Sequence, residues 1–194
     1  MKADPSDRID PRAMVKGTML RAHLSWATSR FGAGYEPVRQ RLSEPVLALL
    51  SRPVLPTDWI PVSSLIELDR AIADAAGEPP ETTWLALGRH SAALNLTGVY
   101  KSFISSEPHR FFERMTVLHH QFQSFGKSVY ERTGERSGRI RIESPLTYSR
   151  VYCVSGKGYY EEALRLLQAP GPIVVRETEC ATAGAAACVF ELAW

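Results

Sequence analysis

The chain has 194 residues, 44% of them hydrophobic and 23% charged, with a formal net charge of +2, the profile of a folded domain rather than a disordered or membrane-spanning one. Arg132, Arg136, Arg139 and Arg141 are mixed with Glu131, Glu135 and Glu143, which argues for a solvated strand face and against nucleic-acid binding. No stretch reaches the roughly 18 apolar residues of a membrane span, and the opening MKADPSDRIDPRAM lacks the apolar run of a secretory signal; the expected setting is cytoplasmic, without membrane insertion, where three cysteines stay reduced.

Pro5, Pro11 and alternating charges mark residues 1–12 as a flexible leader, and 13–194 is expected to form a single domain. From about 17 to 31, Leu20, Leu24, Ala27 and Phe31 recur on one helix face until Gly32 and Gly34. The stretch 36–51 is interrupted at Pro45 and predicts two short helices, the second opening after Ser43. Ser64 and Glu67 have capping-box spacing, and Leu65, Leu68, Ile72 and Ala76 line the following helix up to Gly77. Another helix is expected from about Glu81 to Leu94, and a short one around Val99, Tyr100 and Phe103.

The most regular segment is 107–125, where Phe111, Met115, Leu118, Phe122 and Phe125 form one stripe of a long helix. At ~100° per residue, His119 falls on the flank of that stripe while His120 points away. After Gly126 the period becomes two: a strand at 127–132, then Arg139 to Glu143, Ile173 to Glu177, and Phe190 with Leu192 and Trp194. A helix over 156–168 is expected between strands, with Cys153 before it. The sum is an α+β fold, an N-terminal helical layer packed on a C-terminal, roughly four-stranded antiparallel sheet.

The cysteines and one acid form the pattern C-x23-E-x2-C-x7-C at Cys153, Glu177, Cys180 and Cys188. Thiolates and a carboxylate suit a closed tetrahedral zinc site, and Glu177 shares strand parity with Ile173 and Val175, so its carboxylate turns inward and needs a partner. Glu177 and Cys180 would face opposite sides of a regular strand, which predicts a bulge near Thr178 to Cys180. The alternative is three buried thiols, with Glu177 reaching Arg176 or Arg150.

The tail R-E-T-E-C-A-T-A-G-A-A-A-C-V-F-E-L-A-W resembles the closing hairpin of the 4-vinyl-reductase-type ligand-binding domain, in which E-x2-C-x7-C and an earlier cysteine enclose zinc. The resemblance implies structural zinc on Cys153, Glu177, Cys180 and Cys188. From V-K-G-T at 15–18 through L-N-L-T-G-V-Y at 94–100 and Y-E-R-T-G at 130–134, the chain is also similar to a myxobacterial paralogous family of uncharacterised proteins. The wider superfamily, as the resemblance implies, includes haem-based nitric oxide sensors, sensory domains of aromatic-responsive activators and Bet-type vesicle-tethering subunits, with an apolar cavity and frequent dimerisation. The haem-binding Y-x-S-x-R signature is absent, since Tyr148-Ser149-Arg150 lacks its spacers, so propionate binding is not supported.

The expected function is a non-catalytic sensor or carrier for a small apolar molecule, in a pocket lined by Phe111, Met115, His119, Phe122, Tyr130 and Trp194. The alternative is an adaptor working as a homodimer or with a regulatory protein partner. Catalysis is disfavoured, because no nucleotide-binding fingerprint or paired nucleophile is present.

Overall fold

In the computed structural model, the described residues are 6–104 and 107–194. A short strand β1 (Met14–Lys16) leads into α1 (Gly17–Phe31), followed by α2 (Glu36–Arg39), α3 (Glu44–Leu50), β2 (Trp59–Pro61), α4 (Val62–Ala76) and α5 (Pro80–Thr97). A 3-10 turn at Lys101–Phe103 precedes α6 (Pro108–Val117) and α7 (His119–Phe122). Then come β3 (Lys127–Gly134), β4 (Ser137–Glu143), α8 (Arg150–Leu166), β5 (Val174–Glu179) and β6 (Cys188–Ala193). β1 and β2 pair with each other, and the other four strands form an antiparallel sheet in the order β3-β4-β6-β5. The expected α+β architecture, helices first and a four-stranded sheet last, is therefore the observed one.

Period-3.6 patterning explains the helical layer. Leu20 and Ala27 of α1 and Leu65, Leu68 and Ile72 of α4 are buried in one apolar cluster. A second cluster joins α5, α6 and α8 to the sheet through Leu96, Phe111, Phe112, Leu164, Ile140 and Phe190. The sheet's inner face follows from register: Tyr130, Ile140, Phe190 and Glu177 oppose one another across the four strands, all on the side that meets the helices. The outer face carries Arg139 between Glu191 (2.7 Å) and Glu131 (3.4 Å), the solvated charged face its alternation predicts.

Helices α5 and α8 cross at glycines. A Cβ on Gly88 would lie 1.8 Å from the Ser155 carbonyl oxygen, and one on Gly158 would lie 2.2 Å from that of Leu85. Only hydrogen fits at either point, so the two glycines set how closely the helices approach.

Three sequence expectations are corrected here. The helix expected over 107–125 is broken at Leu118, whose φ of −87° and ψ of 6° end α6. Beyond α7 the backbone is drawn to β1, with Ser124 N–H donating to the Met14 carbonyl (2.9 Å) and Gln123 bridging Val15. Cys153 lies inside the first turn of α8 rather than before it, because the Asp7 carboxylate caps that helix by accepting from Arg150 N–H (3.1 Å) and Ser149 Oγ (2.8 Å). The Ser64 box does not form: α4 begins at Val62, and Glu67 instead accepts from Ser43 N–H (2.6 Å).

The same Asp7 ties down part of the expected leader. It pairs with Arg70, and Arg8 and Tyr148 exchange backbone hydrogen bonds, so residues 6–12 are held against the domain. Residues 1–5 lie outside the described residues.

Candidate functional site

Between the helical layer and the sheet lies a cavity of about 170 Å³. Its apolar wall comes from Phe111, Phe112 and Met115 of α6, Phe122 of α7, Ile140 and Ile142 of β4, and Phe190 of β6. Of the residues expected to line a pocket, Phe111, Met115, His119 and Phe122 do so; Tyr130 and Trp194 do not. Those two belong to a neighbouring cluster, because Tyr130 stacks on Phe112 (5.6 Å between centroids) and both flank His109. His109 is buried with both ring nitrogens engaged, Nδ1 with the Tyr130 hydroxyl (2.7 Å) and Nε2 with the Glu135 carbonyl (2.8 Å).

His119 reaches the wall from the first turn of α7. Its Nε2 lies 3.0 Å from the Phe125 carbonyl and 2.8 Å from the Gln123 amide nitrogen, and burial pushes its pKa down, against the opposing pull of the Phe125 carbonyl. Gln123 in turn accepts from Tyr152 of α8. This Tyr152, Gln123, His119 chain forms one polar edge of the cavity.

A second polar edge was missed by sequence reasoning. His23 of α1 lines the cavity and is only 3% exposed; its Nδ1 lies 2.6 Å from Oδ1 of Asp69 on α4, itself 2% exposed. Burial pushes the Asp69 carboxyl up, and the imidazole opposes that rise. Ser91 and Asn95 of α5 line the same cavity, with Asn95 Nδ2 donating to Ser91 Oγ (3.2 Å). The signal was present: His23 falls three residues after Leu20 and four before Ala27, and Asp69 four after Leu65, so both occupy the predicted buried stripes.

Cys153, Glu177, Cys180 and Cys188 do converge, with one ligand-type atom of each within 4.8 Å of the others. Cys153 and Cys188 Sγ are 3.2 Å apart, and Cys180 Sγ is 4.0 Å from Cys153. The anticipated bulge is present as a register shift between Glu177 and Glu179. The Cys153 thiol is pushed up, as its hydrogen bonds to Cys180 and Cys188 favour the protonated form; those bonds push Cys180 and Cys188 down. Glu177 pairs through Oε2 with Arg150, the alternative partner weighed from sequence, while its Oε1 is buried without a partner among the described residues. Burial is the largest influence on Glu177 and raises it to about 6.

No family model matches the chain, and no curated protein matches it. Solved structures do. A structure from work on haem distortion in the H-NOX family superposes with a TM-score of 0.71 at 15% identity, covering 92% of this chain and 94% of that one. An H-NOX protein from S. oneidensis in its Fe(II)NO state gives 0.71 at 13% identity, with 91% and 97% covered. An oxygen-binding H-NOX domain related to soluble guanylate cyclases gives 0.66 at 14%, with 91% and 92% covered.

These neighbours overturn the expectation of structural zinc: the structures that share this fold point to haem rather than zinc. The residues of this chain, however, do not fit haem. Pockets for drug-sized ligands span ~300–1,000 Å³, and a porphyrin with two propionates would need far more room than about 170 Å³. No lysine or arginine is among the residues lining the cavity, so a propionate turned inward would lack a counter-charge. Arg150, the arginine of the Tyr148-Ser149-Arg150 run, is committed to Glu81 (2.7 Å) and Glu177. Over 92% of its length the chain shares the fold of H-NOX domains, and within that fold it carries a cavity too small for their porphyrin.

Proposed function

We propose that this chain is a haem-free, non-catalytic sensor or carrier domain that takes a compact apolar molecule directly into the cavity between α6, α8 and the sheet. The cavity's size and walls carry the reading. An apolar protein cavity of ~150 Å³ accepts benzene or xenon, and this one is about 170 Å³ with Phe111, Met115, Ile140 and Phe190 in its wall. The resemblance of the closing hairpin to the 4-vinyl-reductase-type ligand-binding domain is in line with the same reading.

The cysteine cluster has a structural part in it. Cys153 sits on α8 and Cys180 and Cys188 bound the β5–β6 connection, so the cluster fastens the hairpin to the helix that forms the cavity's floor. A homodimer or a regulatory protein partner is the proposed route by which occupancy is relayed.

A guest that binds only the folded state raises the unfolding midpoint in proportion to ln(1 + [L]/Kd). Benzene at increasing concentration is expected to raise the melting temperature of the wild-type chain, and Met115→Trp, which places a larger side chain in the wall, is expected to abolish that shift. A concentration-independent melting temperature in the wild type, or an equal shift in Met115→Trp, would remove the reading.

A further inference from the structure

His23 of the buried His23–Asp69 pair lines the cavity. Its hydrogen bond uses Nδ1, and Nε2 has no hydrogen-bond partner among the described residues. With Nδ1 committed, Nε2 is the ring atom left to meet a guest.

Burial restricts the net charge that the pair can carry. Two groups 3% and 2% exposed favour an arrangement with zero net charge, since an uncompensated charge in such a site is costly. Two such arrangements exist. A carboxylate can face an imidazolium, or a carboxylic acid can donate to Nδ1 of a neutral ring. In both of these net-neutral arrangements Nε2 carries a hydrogen; the anionic one, a carboxylate accepting from Nδ1–H of a neutral ring, would leave Nε2 an acceptor and is the arrangement that burial disfavours.

Resting on the reading of the cavity given above, we infer that His23 Nε2 is the specificity-determining donor of this site, and that the guest is a compact apolar molecule carrying one hydrogen-bond acceptor, such as the carbonyl oxygen of a small ketone or aldehyde. Asp69 is a positioning residue that fixes the ring. The hydrocarbon walls exclude a charged guest, since no lysine or arginine lines the cavity to meet a carboxylate, and the donor ranks neutral guests of equal shape by their acceptor.

The test uses two probes of nearly the same shape, cyclopentanone and methylenecyclopentane, titrated into the full chain and followed by amide chemical shifts in NMR. The quantity read is the ratio of the two affinities, compared between the wild type and His23→Leu; comparing ratios cancels the probes' different solvation in water. Loss of one buried hydrogen bond is expected to lower the ketone preference about three- to tenfold. Because His23→Leu strands a buried carboxyl, the double variant His23→Leu/Asp69→Leu is measured as well; an apolar replacement of both partners tends to preserve folding. The inference is overturned by a preference unchanged within about twofold in the double variant while both probes still bind, an outcome that leaves the cavity itself intact. Failure of both probes to bind the wild type would overturn the cavity reading, and the inference with it.

Discussion

Replacing Glu177 by glutamine separates two opposed accounts of the inward carboxylate. Its side chain is 12% exposed and paired with Arg150, yet burial holds it at about 6 against an ordinary 4.5. A carboxyl raised in the folded state favours the fold below its unfolded pKa, and that contribution is lost as pH rises through the folded value. The difference of 1.5 pH units corresponds to at most ~2 kcal/mol at 1.36 kcal/mol per unit, and residual solvent contact reduces it to about 1–2 kcal/mol. In urea unfolding under reducing conditions, the stability of Glu177→Gln relative to wild type is expected to improve by that amount between about pH 4 and about pH 7. If the Arg150 pair dominated instead, the folded pKa would be depressed and the wild type would gain on the variant over the same interval. That opposite sign refutes the reasoning.

Other substitutions test the scaffold. Gly88→Ala puts a methyl group 1.8 Å from the Ser155 carbonyl oxygen, and separating α5 from α8 is expected to cost about 3 kcal/mol or more in denaturant unfolding; a near-neutral result would mean the crossing is looser than described. Cys188→Ser buries a hydroxyl where a thiol is 5% exposed and is expected to destabilise the chain by about 1–3 kcal/mol, with a smaller effect for the less buried Cys180→Ser. Equal melting curves for Cys188→Ser and wild type would remove the cluster's fastening role.

The fold was legible where periodicity was clean. The stripes of α1 and α4 and the alternation at 139–143 gave helices and strands close to those observed, because each pattern records a single burial direction. Boundaries set by distant partners were not legible. The start of α8 depends on Asp7, more than 140 residues away in sequence, and the end of α6 on a backbone pairing with β1. The site was partly legible for the same reasons. Phe111, Met115 and Phe122 followed from the stripe over 107–125 and His119 from its flank, and the cysteine and glutamate spacing foretold the cluster and its bulge. Tyr130 was misplaced because strand parity gives a face but not the neighbour on it. His23 and Asp69 were passed over although their positions lay on predicted apolar stripes; a polar residue in such a stripe is itself a sign of a buried pair.

A crystal structure of the protein under xenon pressure tests the central claim most directly, since xenon occupies apolar cavities of this size without a polar handle. Xenon density is expected within the wall formed by Phe111, Met115, Ile140 and Phe190. An interior filled by protein side chains, or one holding a porphyrin, would contradict it.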